Sequence, residues 1–216
     1  MARICGIDEA GRGPVIGDLV VCGVIADTLD SFDGLGFDSK TLSPKKREEL
    51  FPKIKEKSKA HALRRVSAKE IDSKNAEGCN LNTLEFLKMA EIINELKADV
   101  AYIDCPHPIP DKFKAELLGY LDNKNTKIIA EHKADYKYSI VGAASIIAKV
   151  TRDAMVKKLE QDYNVKIGSG YPADPNTVRF VNEFLNGEHD EIDEFIRHSW
   201  STIKSKKAGA EQKRIL

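Results

Sequence analysis

The sequence lacks an excess of charge of either sign, a long apolar run and any closely spaced cysteine pair. Its 34 Lys and Arg residues balance 34 Asp and Glu residues, which excludes a globally basic nucleic-acid binder but permits local basic surfaces. The longest apolar run, within residues 18–27, is far too short to cross a bilayer. The first residues enter a strand-like run without the features of a signal peptide. The scattered Cys5, Cys22, Cys79 and Cys105 predict reduced thiols in a cytoplasmic protein, rather than a disulfide framework or zinc site.

The composition is that of a folded chain with an uneven charge distribution. The 216 residues are 42% hydrophobic and 31% charged, which suits one domain, or one domain with an appendage. Residues 1–40 and 168–195 are acidic, with net charges of −4 and −6, whereas residues 41–70 carry +6 and residues 196–216 carry +5. Acidic and basic segments together suit a protein that binds a polyanion and holds cations at the point of reaction. Solvated helix faces would produce the same charge runs.

The hydrophobic pattern alternates strands with helices and predicts a mixed sheet covered by helices. Residues 19–26 form a continuous, β-branched apolar run, so this strand is expected to be buried on both faces. Ser43 and Pro44 are typical of a helix start, and Pro52 is predicted to interrupt or restart that helix. Strands are predicted over 3–8, 19–26, 100–104 and 127–131, and helices over 45–51, 80–97, 111–121, 139–163, 175–187 and 191–198.

Four acids lie where predicted strands end. Asp8 and Glu9 precede a glycine-containing turn, Asp104 ends the strand at 100–104, and Asp135 follows the strand at 127–131. Ligands of open α/β sheets collect at the carboxyl ends of parallel strands. Carboxylates gathered there repel one another unless a divalent cation such as Mg²⁺ neutralises them. The pattern therefore suits a metal site and suits solvated strand ends or helix caps equally well.

Other residues suit contact with a phosphate or a sugar. The turn at residues 11–13 combines two glycines with an arginine, which lets backbone N–H groups approach a ligand, although a simple hairpin turn explains it equally well. Lys40, Lys149 and Arg152 could bind phosphates, or could simply be solvated at the surface. Tyr171, between glycines and a proline, could stack on a sugar or base, or pack over its own loop.

Taken together, these segments resemble one known family, the type 2 ribonucleases H, or ribonuclease HII. The resemblance is carried by the motif Asp8-Glu9-Ala10-Gly11-Arg12-Gly13-Pro14 and by the helix at 143–153, Ala-Ala-Ser-Ile-Ile-Ala-Lys-Val-Thr-Arg-Asp. Asp38-Ser39-Lys40, the loop at 168–175 and the segment at 199–202 match as well. The matches extend from residue 3 to about residue 203, and the length resembles the single-chain archaeal form.

The resemblance implies an α/β fold. The family has a ribonuclease H-like mixed five-stranded sheet with flanking helices and a helical C-terminal extension. The remaining strand, third in the chain, is then assigned to 61–66. Residues 1–165 would form the catalytic domain, and residues 166–216 would form the extension with its basic tail.

The resemblance also assigns roles to individual residues. It makes Asp8, Glu9, Asp104 and Asp135 the catalytic ligands of Mg²⁺ or Mn²⁺. The turn would read the 2′-hydroxyl of a ribonucleotide, and Tyr171 would stack on the following deoxyribose. The implied contacts to nucleic acid are Gly11, Arg12, Gly13, Lys40, Ser145, Lys149, Arg152 and Tyr171.

The implied activity is that of an endoribonuclease. It would hydrolyse the phosphodiester 5′ of ribonucleotides in RNA/DNA hybrids and in duplex DNA, by a two-metal mechanism that leaves 3′-hydroxyl and 5′-phosphate ends. Its role would be ribonucleotide and RNA primer removal in DNA replication and repair. We expect a monomer with no membrane partner. We do not expect docking on a sliding clamp, because the Gln212 and Ile215 pattern lacks the aromatic pair of such motifs.

Three other functions use the same residues. A metal-dependent phosphatase or nucleotide hydrolase would use the acids on a small substrate and would have no need of Tyr171. A nuclease of the wider superfamily would cut DNA without ribonucleotides. A binding module that kept the fold would hold a hybrid duplex without cutting it, and the presence of all four acids argues against that reading.

Overall fold

The predicted strands and helices are present in the predicted order, and further helices lie at 68–76, 134–137 and 201–207. The helix predicted over 191–198 is instead a 3₁₀ helix that ends at residue 195. The structure is a computed structural model that describes residues 2–35 and 42–207. The strands are β1 (Ile4–Ala10), β2 (Leu19–Ala26), β3 (Ala60–Val66), β4 (Val100–Asp104) and β5 (Lys127–Glu131). The helices are α1 (Pro44–Lys57), α2 (Ala68–Ala76), α3 (Leu81–Leu96), α4 (Pro110–Tyr120), α5 (Ala134–Lys137), α6 (Ser139–Asp162), α7 (Pro175–Leu185), a 3₁₀ helix (Asp190–Phe195) and α8 (201–207). None of the helices in these described ranges is long and apolar enough to cross a membrane.

The strands form one mixed five-stranded sheet in the order β3-β2-β1-β4-β5, which confirms the predicted fold class. β1 pairs antiparallel with β2, from Ile4 opposite Ala26 to Ala10 opposite Val20. β1 and β4 are parallel, and so are β4 and β5. The carboxyl ends of β1, β4 and β5 therefore lie at the same edge of the sheet.

Close packing of helices on the sheet depends on two glycines. Every residue of β2 is buried, as the continuous apolar run predicted. A Cβ on Gly23 would lie 2.3 Å from Ile92 Cγ2 of α3, and one on Gly6 would lie 2.4 Å from the backbone oxygen of Ile140 of α6. Both helices approach the strands more closely than any larger residue would allow.

Helix α1 begins as predicted but does not break where expected. The Ser43 side chain accepts a 3.2 Å hydrogen bond from the Lys46 amide, and Pro44 follows this cap. The helix continues through Pro52 to Lys57, so the predicted interruption is wrong. Proline removes one backbone hydrogen bond, but Leu50 and Ile54, on either side of it, are both buried. Their packing keeps the helix continuous.

The chain divides into two compact units. The first unit contains the sheet and comprises Met1–Ala10, Val20–Arg65 and Asn82–Thr151. The second unit comprises Gly11–Leu19, Val66–Leu81 and the chain from Arg152 onward. The second unit has its own apolar core, formed by Val15, Ile16, Val156, Ile167, Phe180, Val181, Phe184, Ile192, Ile196 and Ile203. The predicted domain boundary at residue 165 stays a prediction.

Candidate functional site

Three of the four predicted acids converge in the first unit. Asp8 lies on β1, Asp104 ends β4, and Asp135 lies in α5 after β5. The parallel register that pairs Ile7 with Ile103 brings Asp8 level with Asp104. One carboxylate oxygen from each acid lies within 4.8 Å of the others. Hard oxygen donors in such a cluster suit a divalent cation.

A hydrogen bond to the backbone fixes the position of Asp135. Asp104 Oδ1 accepts a 2.9 Å hydrogen bond from the amide of Ala134, the residue before Asp135. Lys133 has a left-handed backbone, with φ at 59°, and turns the chain from β5 into α5. The end of β4 thus holds the start of α5 and brings Asp135 to the cluster.

Charge repulsion and burial act on these carboxyl groups. The pKa of Asp8 is raised to about 7, and burial is the largest cause. The hydrogen bond from Ser145 and the charge of Lys149 act to lower this pKa, whereas the charge of Asp104 raises it. Burial, followed by the charge of Asp104, also raises the pKa of Asp135. The ionised cluster therefore calls for a compensating positive charge near neutral pH. A divalent cation fits this set of donors.

Helix α6 supplies a partial counter-charge. Lys149 Nζ donates a 2.6 Å hydrogen bond to Ser145 Oγ, one turn earlier in the helix. The Ser145 hydroxyl in turn hydrogen bonds to Asp8. The sequence motif predicted both residues as phosphate contacts, but it did not indicate this link to an acid.

Glu9 lies at the same end of β1, although its carboxylate is not among those that converge within the described ranges. Its amide donates a 2.7 Å hydrogen bond to Asp8 Oδ1. Burial, and then the charges of Asp104 and Glu9, raise the pKa of the Cys105 thiol, while a hydrogen bond at His107 lowers it. The role of Glu9 as a metal ligand stays a prediction.

The turn at 11–13 belongs to the second unit. Gly11 has a φ of 92°, and a Cβ there would lie 2.5 Å from the backbone oxygen of Asp18, so only glycine fits. Beneath the turn, Arg197 is fully buried and donates hydrogen bonds to backbone carbonyls at Gly11 and Arg12. Nothing in the sequence around Arg197 indicates this role, because no local pattern connects it with a turn 186 residues earlier.

The loop around Tyr171 is held by its own backbone contacts. Asp174 Oδ2 accepts a 2.7 Å hydrogen bond from the Ser169 amide, and Thr177 Oγ1 accepts one of 2.9 Å from the Gly170 amide. The Tyr171 side chain is 41% exposed, so it is available to stack. A Cβ on Gly13 would lie 3.4 Å from its ring, which makes the turn and the tyrosine neighbours.

Arg152 lies under this loop and is only 4% exposed. Its Nη2 donates to the backbone oxygen of Ser169, its Nη1 lies 3.2 Å from Asp153 Oδ1, and its guanidinium lies 5.3 Å from the centre of the Tyr171 ring. These contacts support the loop, and a phosphate contact stays a prediction. Lys40 lies outside the described residues, as do Gln212 and Ile215 of the tail.

Comparison with known proteins gives matches over nearly the whole chain. A family model described as ribonuclease HII matches residues 5–203. The ribonuclease HII of Thermococcus sibiricus is 45% identical over 207 residues, which cover 94% of this chain and 90% of the relative. The crystal structure of ribonuclease H2 from Pyrococcus horikoshii OT3 is 38% identical in sequence, with a TM-score of 0.85. The match covers 97% of this chain and 99% of that one. A chain in the structure of the PCNA:RNase HII complex from Archaeoglobus fulgidus is 38% identical in sequence, with a TM-score of 0.83. The match covers 92% of this chain and 95% of that one.

Proposed function

The chain belongs to the ribonuclease HII family, and we propose that it hydrolyses the phosphodiester on the 5′ side of a ribonucleotide, in RNA/DNA hybrids and in duplex DNA. Membership makes it a metal-dependent ribonuclease H, a hydrolase of phosphodiester bonds. The observation that carries the proposal is the convergence of Asp8, Asp104 and Asp135 at the end of parallel strands.

We propose that Asp8, Asp104 and Asp135, together with Glu9, hold Mg²⁺ or Mn²⁺ in a two-metal mechanism that leaves 3′-hydroxyl and 5′-phosphate ends. When bound, such ions would activate water and stabilise the charge that develops on the phosphate oxygens. The chain contributes a fixed set of oxygen donors, since Ala134 holds Asp104 and Ser145 holds Asp8. Lys149, linked to Ser145, adds a positive charge beside the cluster.

We propose that the second unit recognises the ribonucleotide. The glycine turn exposes Gly13, and the exposed ring of Tyr171 lies beside it. Backbone N–H groups in a turn can donate to a hydroxyl, and an aromatic ring can stack on the next sugar or base. This adjacency supports a surface of the second unit that reads an RNA–DNA junction. Separately, we propose Ser145, Lys149, Arg152 and Lys40 as phosphate contacts.

Cellular role and assembly follow from the same proposal. We propose a monomer of the cytoplasm that removes ribonucleotides and RNA primers, with a catalytic domain over 1–165 and an extension over 166–216. The four cysteines are free, which agrees with a reducing compartment. The Archaeoglobus relative is in complex with PCNA, which leaves our expectation of no clamp docking without support. The tail of this chain lies outside the described residues.

A panel of substrates tests the proposal. The protein is incubated with duplex DNA, the same duplex carrying one ribonucleotide, an RNA/DNA hybrid and a nucleoside triphosphate, each with Mg²⁺ or with EDTA. We expect cleavage of the ribonucleotide-containing duplex and of the hybrid, only with metal. Cleavage of plain DNA would indicate a DNA nuclease, hydrolysis of the triphosphate a small-molecule hydrolase, and binding without cleavage a module that lacks activity.

A further inference from the structure

A buried arginine holds the glycine turn from below. Arg197 is fully buried in the second unit. Its Nη2 donates to the Gly11 carbonyl at 2.6 Å, its Nη1 to the Arg12 carbonyl at 3.0 Å, and its Nε to the Gly17 carbonyl at 2.9 Å. One planar guanidinium therefore contacts two carbonyls of the turn at 11–13 and a third at Gly17, using the fork of donors that only arginine has.

These bonds determine where the turn's amides point. In a trans peptide the N–H is directed opposite to the C=O of the same plane, and the described residues include no cis peptide bond. Since the carbonyls of Gly11 and Arg12 are directed at Arg197, the amides of Arg12 and Gly13 are directed away from it. Gly13 is exposed, and a Cβ on it would lie 3.4 Å from the Tyr171 ring, so its peptide group lies at the surface beside Tyr171.

The surrounding backbone fixes Arg197 in turn. Its amide donates to the Val15 carbonyl at 2.9 Å, and the Gly17 amide donates to the Phe195 carbonyl at 2.8 Å. Its guanidinium lies 4.9 Å from the centre of the Trp200 ring. Burial lowers its pKa to about 10, and the side chain stays protonated near neutral pH. A buried cation is expensive unless its donors are satisfied, and here they are used on the turn.

We propose that Arg197 is a positioning residue, which fixes the peptide groups of Gly11–Gly13 so that their amides read the ribose 2′-hydroxyl. This inference rests on the proposed function, because it concerns how the same turn selects its substrate. A lysine would keep the charge but could not reach three carbonyls in one plane. The inference therefore predicts a loss of selectivity even when the charge and the fold are kept.

The test measures the preference for a ribonucleotide by binding. Variants are made in the Asp104→Asn background, and Kd is measured by fluorescence anisotropy for a DNA duplex with one ribonucleotide and for the same duplex without it. Arg197→Lys and Arg197→Met should lower the ratio of the two affinities by about fivefold, the net worth of about one hydrogen bond. Ile203→Ala, which truncates a buried core residue of the same unit, is the matched control and should lower Tm while leaving the ratio unchanged.

The outcomes separate the two proposals. If the Asp104→Asn parent shows no preference for the ribonucleotide, the proposed reading of the 2′-hydroxyl fails and the inference fails with it. If the parent shows the preference and Arg197→Lys keeps it, only the role of Arg197 is overturned. Arg197 variants that fail to fold at every temperature tested would also overturn it, because the residue would then be required for folding rather than for positioning.

Discussion

Asp104 Oδ1 accepts a 2.9 Å hydrogen bond from the backbone amide of Ala134, and this bond joins two of the strand ends that carry the acidic cluster. The same carboxylate also lies among the oxygens that converge with those of Asp8 and Asp135. Asp104 therefore has two separable tasks, one structural and one electrostatic. An asparagine can still accept the amide hydrogen bond through its side-chain oxygen, but it lacks the negative charge.

Asp104→Asn should reduce cleavage of a ribonucleotide-containing duplex by at least about 100-fold, because it removes the charge of one of the proposed metal ligands. Its Tm and its Kd for the duplex should stay close to those of the unchanged protein, since the bond to Ala134 is kept. Asp104→Ala should lose both the activity and part of the stability. Asp111→Asn, at an exposed helix start, is the control and should cut normally. Normal turnover by Asp104→Asn would remove this residue from the site.

The metal-free protein should lose stability as the pH rises. Burial raises the pKa of Asp8 from 3.8 to about 7, so the folded state holds this proton more tightly than the unfolded state. The stability that this Asp8 proton contributes is fully present at a pH below the pKa of Asp8 in the unfolded chain. It is lost as the pH rises through the pKa of Asp8 in the folded protein. In EDTA, the Tm of the unchanged protein should fall as the pH is raised from about 5 to about 8, and the Tm of Asp8→Asn should fall less over the same range. Mg²⁺ should raise the Tm most near about pH 8. An equal dependence of Tm on pH in the unchanged protein and in Asp8→Asn would contradict the role of Asp8.

Tyr171→Ala should affect one substrate more than the other. Stacking on an aromatic ring contributes about 1–3 kcal/mol per base, so activity on a single embedded ribonucleotide should fall by about fivefold or more. A long hybrid has no RNA–DNA junction at most of its cleavage points, and activity on it should fall less. Tyr171→Phe keeps the ring and should retain activity on both substrates. Equal losses on both duplexes in Tyr171→Ala would argue against junction reading.

Two glycine-to-alanine changes should have opposite effects on stability. A Cβ at Gly6 would lie 2.4 Å from the backbone oxygen of Ile140, so Gly6→Ala must push α6 from β1 and should cost about 1–3 kcal/mol. A Cβ at Gly119, in α4, would meet no atom within 4 Å, and Gly119→Ala should stabilise by about 0.5–1 kcal/mol. Chemical denaturation of the two variants measures both changes. A neutral Gly6→Ala would show that the helix and strand are not closely packed there.

Local sequence signals predicted much of the fold. The apolar run at 19–26 matches β2, and Ser43 caps α1. These features depend on alternation, turn residues and caps, all of which act over a few neighbouring positions. The break expected at Pro52 is absent, because burial of residues on both sides outweighs one lost hydrogen bond.

Long-range contacts explain what the sequence could not predict. Asp8, Asp104 and Asp135 were found because each follows an apolar strand, but the link from Ala134 to Asp104 depends on strand pairing. The phosphate contact of Arg152 stays a prediction, and no local pattern indicated that this residue is buried against the loop of Tyr171. Arg197 lies in no motif that indicates its partners, since its contacts are with the other end of the chain. Such roles require tertiary structure.

The most direct test is cleavage of an end-labelled DNA duplex that contains one ribonucleotide, mapped to single-nucleotide resolution with and without Mg²⁺. We predict one cut on the 5′ side of the ribonucleotide, only with metal, which leaves a 3′-hydroxyl and a 5′-phosphate and is lost in Asp104→Asn. Cutting of the duplex in EDTA, at positions unrelated to the ribonucleotide, or at full rate in Asp104→Asn, would contradict the proposal that this acidic cluster holds the ions that cleave beside a ribonucleotide.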